Sequence, residues 1–213
     1  MIIYNPMDGE AIISSIKSMP RHCFLMTKLG RPIPEQVNVI GDAITSICSQ
    51  CGFTVIDAST QITGRDFLLK IWKKIAATPL AVGVFHEDIP QKTQSNIYYE
   101  LGIAQALGKE TIIVKSPNIE MPSDFTRTEY IEFDINFSVN FSKYLDELNN
   151  QAEHYELMAD QLENNPMLSI DYLKRAFLIT GNDQLRNKAR KLLKEPGLSS
   201  RAKTSVEQLT ASF

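Results

Sequence analysis

Leu80-Ala-Val-Gly-Val-Phe85 and Thr111-Ile-Ile-Val114 are unbroken apolar runs, and between them stands Asn96-Ile-Tyr-Tyr-Glu-Leu-Gly-Ile-Ala-Gln-Ala-Leu-Gly-Lys109. Short apolar runs bounded by turn residues are the pattern of strands buried on both faces, and Ile97 to Leu107 repeats its apolar residues at helical spacing. Strand, helix and strand in that order predict a parallel pair joined by a crossover helix.

The same alternation extends in both directions. His22-Cys-Phe-Leu-Met-Thr27 reads as a buried strand that empties into the loop Lys28-Leu-Gly-Arg-Pro32, and a helix follows from Pro34 to Gln50, stopped by Gly52. Phe53 to Asp57 is a second strand, Asp66 to Ile75 a second helix, and Tyr130 to Phe133 a fifth strand. The expected architecture is α/β: a flavodoxin-like parallel sheet of about five strands with helices on both faces, plus a C-terminal helical appendage. In such sheets ligands bind beyond the carboxyl ends of the strands. That rule puts Thr27 to Arg31, Ser59 to Arg65, His86 to Ser95 and Lys115 to Pro122 on the functional rim.

After Ser138 the strand pattern stops, and helices are expected over 141–162, 168–180 and 183–194. The expected domains are therefore residues 1–137 and 138–213. Ala176, Leu178, Ala189 and Leu192 fall at the spacing of one tetratricopeptide-type hairpin, which reads as a helical cap or an oligomerisation element. The tail after Pro196 reads as loosely ordered or a single weak helix.

Across 213 residues, 43% hydrophobic and 22% charged composition is that of an ordinary globular protein, and a formal charge of -3 gives no footprint for nucleic acid or anionic lipid. The N-terminus has neither the basic start nor the apolar core of a signal peptide, and no window approaches the roughly 18 consecutive apolar residues of a membrane span. Three cysteines without framework spacing fit a reducing compartment, so the expected location is the cytoplasm.

Cys48-Ser-Gln-Cys51 has the spacing of a redox or zinc half-site, but it lies at the end of a predicted helix, whereas reactive thiols gain acidity at a helix start. No metal site is expected, since only His22 and Cys23 could complete the four ligands zinc needs. Neither GxGxxG nor GxxxxGK followed by Ser or Thr occurs.

The segment from Asn96 to Lys109 is different, because a carboxylate, two phenols and an amide converge at what reads as a helix start on the ligand edge. There Glu100 would be held ionised by the amide dipoles of the first turn, suited to face a developing positive charge. Such a charge forms at an anomeric carbon. Gly102 would let the helix pack closely on the sheet, with Ile103, Ala104, Ala106 and Leu107 as core. The plain alternative is that Glu100 caps its helix and the tyrosines pack.

Tyr99-Glu-Leu-Gly-Ile-Ala-Gln-Ala-Leu-Gly-Lys109 resembles the signature of the nucleoside 2-deoxyribosyltransferase superfamily and its TIR-like bacterial relatives. His22 to Gly30 looks like their opening strand, Gly64 to Ile75 like their second helix, and Met121 to Phe125 like the loop before their last strand, so the resemblance covers about residues 20–135. It implies that Glu100 is the nucleophile or cation stabiliser in cleavage of an N-glycosidic bond, with Tyr98 or Tyr99 orienting it or stacking on the ligand. Asn96 would bind ribose hydroxyls, and Lys28 and Arg31, on the loop turned by Gly30, would meet phosphate. Ser59 and Asp66 would line the same rim.

Two positions depart from the superfamily. Thr78-Pro79 stands where the transferases carry an acidic residue that handles the base, and Gln94, Ser95 and Asn96 stand where they carry a sugar-binding carboxylate. A substrate whose base leaves as a neutral group, such as the nicotinamide of NAD, needs no such acid. The expected activity is thus N-glycosidic cleavage or transfer on a nucleoside, nucleotide or NAD, with the missing acid tilting the choice toward NAD-like substrates, and no cofactor is expected beyond NAD as one candidate substrate. By the same resemblance the chain would assemble as a homo-oligomer or partner complex through its C-terminal helices and serve antiviral defence or stress signalling. The competing expectation is a catalytically inactive nucleotide-binding sensor or assembly module.

Overall fold

The computed structural model describes residues 9, 16–59, 67–125, 129–162 and 164–192. Their contacts form two units: His22–Asp146, and the described residues within Met1–Arg21 and Glu147–Phe213. The expected division at 137/138 falls at the start of a helix that the two units share.

The first of these units alternates β1 (His22–Met26), α1 (Glu35–Gln50), β2 (Thr54–Ile56), α2 (Phe67–Ala77), β3 (Leu80–Phe85), α3 (Gln91–Ala106), β4 (Glu110–Lys115) and β5 (Tyr130–Glu132), and then enters α4 (Phe137–Gln161). Every strand pair is parallel, and the order is β2-β1-β3-β4-β5. This is a flavodoxin-like α/β sheet. The chain moves outward from β1 to β2 and returns past β1 to β3, so the topological switch point lies between Met26 and Phe85, the last residues of β1 and β3.

Alternation along the strands sorts the two faces. Phe24, Met26, Ala81, Phe85 and Ile113 share one buried cluster with Ile71 and Ile75 of α2 and Ile97, Leu101 and Ala104 of α3. Leu25 points the other way, toward α1, where a side chain at Gly41 would meet its Cδ2 at 4.0 Å. On that face the thiols of Cys23 and Cys48, both fully buried, are hydrogen-bonded, and this bond together with burial pushes the Cys23 thiol well up.

The close approach of helix to sheet is made by a strand glycine. A Cβ on Gly83 would lie 2.7 Å from Leu101 Cδ1 and 3.2 Å from Ile97 Cγ2, whereas one on Gly102 would meet nothing within 4 Å. The expectation for Gly102 is therefore corrected: α3 turns this glycine away from the sheet. Ala106, expected in the core, is exposed. The start of α3 is corrected too, from about residue 97 to Gln91. Its first turns, Gln91 to Asn96, are polar because they are mostly exposed, and without an apolar stripe the helical period has no signal there.

In the second unit, α5 (Pro166–Thr180) follows α4, and α6 (Asp183–Leu192) follows α5. Asn165 caps α5 by accepting from the Leu168 N–H, Pro166 occupies its first turn, and Gly181 at φ 71° ends it in the left-handed conformation. The Ser169 hydroxyl donates to the Ala159 carbonyl at 2.9 Å, and Lys188 pairs with Asp160. The expected loose tail after Pro196 lies outside the described residues. Among the described residues, no helix is long and apolar enough to cross a membrane.

Gly83→Ala must displace the fully buried Leu101 or lift α3. We expect it to lower stability by about 1–3 kcal/mol, read as a lower denaturant midpoint at unchanged slope.

Candidate functional site

Glu100 lies in the third turn of α3, not in its first, because the helix begins at Gln91. The consequence for its charge is the reverse of the expected one. Far from the helix start, the carboxyl gains little from the dipole, and among the described residues it makes no hydrogen bond or ion pair. Burial alone governs it, and pushes its pKa from 4.5 up to about 7. A carboxyl near half-ionisation at neutral pH can exchange a proton readily, and when ionised it is poorly solvated and strongly attracted to a neighbouring positive centre.

The tyrosines do not converge on it. Tyr98 stacks on Phe85 with ring centroids 4.4 Å apart, meets Phe125 at 4.9 Å, and donates its hydroxyl to the Met121 sulfur at 3.8 Å. Burial pushes this phenol up. Two residues along a helix turn about 200° around it, so Tyr98 and Glu100 occupy opposite flanks of α3. Tyr99 is 49% exposed on the outer side, and Asn96 is exposed one turn before Glu100, on the same flank.

The loop after β1 carries the expected phosphate ligands. Gly30 takes φ 81°, a left-handed conformation suited to glycine, and Arg31 is exposed. The Lys28 ammonium is occupied within the same loop, donating to the carbonyls of Gly30 at 2.9 Å and Pro32 at 2.5 Å. Ser59 closes an Asx turn, its N–H and hydroxyl donating to the Asp57 carboxylate at 2.9 and 2.6 Å. Asp66 lies outside the described residues. Thr78 is buried and donates its hydroxyl to the Lys74 carbonyl at 3.1 Å. Gln94 braces the loop after β3 by donating to the Ile89 carbonyl at 2.8 Å.

The loop between β3 and α3, expected on the functional rim, carries further polar groups that bond to one another and to the loop after β4. Ser116, following β4, donates to Glu87 Oε2 at 2.7 Å, and this bond is the main cause that holds the Glu87 carboxyl low. His86 Nδ1 accepts from the Asp88 N–H at 3.1 Å. Two further groups were missed. Among the described residues, Thr27 Oγ1, just past β1, and Trp72 Nε1, on α2, are buried without a hydrogen-bond partner. The signal for Trp72 was available: it is the only tryptophan in the chain, one residue off the apolar stripe of its helix. Among the described residues no three His, Cys, Asp or Glu side chains are grouped to hold a metal ion. Cys48 is buried and Cys51 is partly buried just past the end of α1.

No protein-family model matches the chain. No curated protein matches it by sequence. Among solved structures, it is similar to a 2-deoxyribosyltransferase from the psychrotolerant bacterium Bacillus psychrosaccharolyticus, at 12% identity and a TM-score of 0.44, over 57% of this chain and 90% of that one.

The charge of Glu100 makes stability pH-dependent. A carboxyl whose pKa is higher folded than unfolded keeps its proton longer in the folded state, so stability falls as pH rises from about 4.5 to about 7 and levels off above. Glu100→Gln removes this cost. The variant should be more stable than wild type at pH 8, by up to about 3 kcal/mol, and the gap should close toward pH 4.5 in paired denaturant titrations.

Proposed function

We propose that the chain breaks, or transfers across, the N-glycosidic bond of a nucleoside-type substrate, with Glu100 facing the anomeric carbon. The observation that carries this reading is the desolvated carboxyl of Glu100, which serves no described hydrogen bond or ion pair. Keeping such a carboxyl partly out of water costs stability, and a carboxyl with no structural work is a candidate for chemistry. As the base departs, positive charge grows on the sugar, and a carboxylate with little competing water stabilises that charge or bonds to the carbon.

Within the expected substrates, nucleosides come ahead of nucleotides and NAD. Recruiting Lys28 to a phosphate would require breaking its two bonds to carbonyls of its own loop. The sensor reading stays as the alternative, favoured by Thr78, whose hydroxyl is spent on its own helix where the related transferases carry an acid for the base. The C-terminal helices are proposed as the assembly element, with Leu157, Met167 and Leu168 as exposed apolar side chains available for it.

Purified protein incubated with deoxynucleosides, nucleoside monophosphates and NAD should release free base from at least one, followed by chromatography. Glu100→Gln should lower the rate by about a thousandfold or more. No release by wild type from any of them would leave the binding-only alternative standing. Because the ionised form acts, kcat/KM should rise about tenfold per pH unit below about 7 and flatten above. A rate that instead falls above pH 7 would make Glu100 a proton donor.

A further inference from the structure

Helix rotation places Trp72 and Glu100 on the flanks that α2 and α3 turn to each other. On α3, Tyr98 faces Met121 and Phe125, which precede β5, so Glu100 on the opposite flank faces α2. On α2, Lys74 donates to the Asp57 carbonyl at 2.6 Å, beyond the end of edge strand β2. Trp72, two residues and about 200° away, therefore faces α3. The two helices are in contact, run the same way on one face of the sheet, and join the same buried cluster. Each residue stands about one and a half turns above the end of its helix, Ala77 or Ala106. The lower end of the seam is closed by Lys109, whose ammonium donates to the Ala76 carbonyl at 2.7 Å.

The seam thus holds a buried N–H with no acceptor and a carboxyl with no donor or cation, among the described residues. On these flanks α2 carries Leu68, Trp72 and Ala76, and α3 carries Lys92, Asn96, Glu100 and Ile103, so the charged groups along the seam are Glu100, the exposed Lys92 two turns before it and Lys109 at the lower end. An unsatisfied indole N–H costs free energy unless something completes it. We infer that the α2–α3 seam is the sugar-binding cleft, in which the Trp72 indole N–H donates to a sugar oxygen opposite Glu100. The flat apolar face of the indole suits a sugar ring, and the N–H at its edge fixes which oxygen faces it. This rests on the glycosidic reading for the identity of the ligand, but the facing pair does not.

Two measurements test it. Trp72 is the only tryptophan, so its emission reports this seam alone. Without ligand, the emission should change with a midpoint at about pH 7 in wild type, and the change should vanish in Glu100→Gln while persisting in His22→Gln and His86→Gln. An unaltered transition in Glu100→Gln, or none in wild type, overturns the facing pair. Calorimetric titration with 2′-deoxyadenosine and with NAD should then show one of them binding about five- to tenfold more weakly to Trp72→Phe, which keeps an aromatic body and loses the N–H. Equal affinity, or no binding of either by wild type, overturns the cleft. Neither measurement needs turnover. A protein that binds through Trp72 and releases no base would refute catalysis and leave the cleft intact.

Discussion

The contact on which the rest depends is that of Leu101 and Ile97 with the bare backbone of Gly83. It brings α3 down onto β3 by the depth of a methyl group, and a helix held at that depth submerges the residues beside its apolar stripe. Glu100 is such a residue. Its proton affinity follows from burial, to which the closeness of α3 to the sheet contributes. A looser α3 would leave an ordinary surface glutamate.

The strands were legible because β1, β3 and β4 sit inside a parallel sheet, and burial on both faces demands unbroken apolar residues such as Leu80 to Phe85. The helix that carries the site was legible only where it touches the sheet. Its polar opening, Gln91 to Asn96, hid the true start, and with it the position of Glu100 in the third turn. That position decides the electrostatics: a helix start would hold the carboxyl ionised, whereas burial in the third turn favours its proton. The two glycines differ for a related reason. Sequence shows that Gly83 and Gly102 both lie in packed elements, but only three dimensions show which one faces the other layer.

The rim of the sheet contrasts with the seam. Lys28, Ser59 and Gln94 each find partners in their own loop or its neighbour, and these bonds shape the loops. Their functional reading came from residue type and location, which sequence supplies, whereas their occupation by local carbonyls and carboxylates is a matter of turn geometry. Trp72 is the opposite case. Nothing in its spacing announces a partner, and its significance comes from the pairing of two helices whose flanks sequence alone does not orient.

The cysteines carry a consequence of a different kind. Cys23 and Cys48 are wholly shielded in the layer between α1 and the sheet, bonded to one another, and Cys23 resists ionisation. Alkylation requires an accessible thiolate. Neither sulfur can be modified until that layer separates, and separation of β1 from α1 dismantles the middle of the fold. The pair is thus an internal clock for opening: the rate at which an alkylating reagent consumes these two thiols, once independent of reagent concentration, is the rate at which the core comes apart.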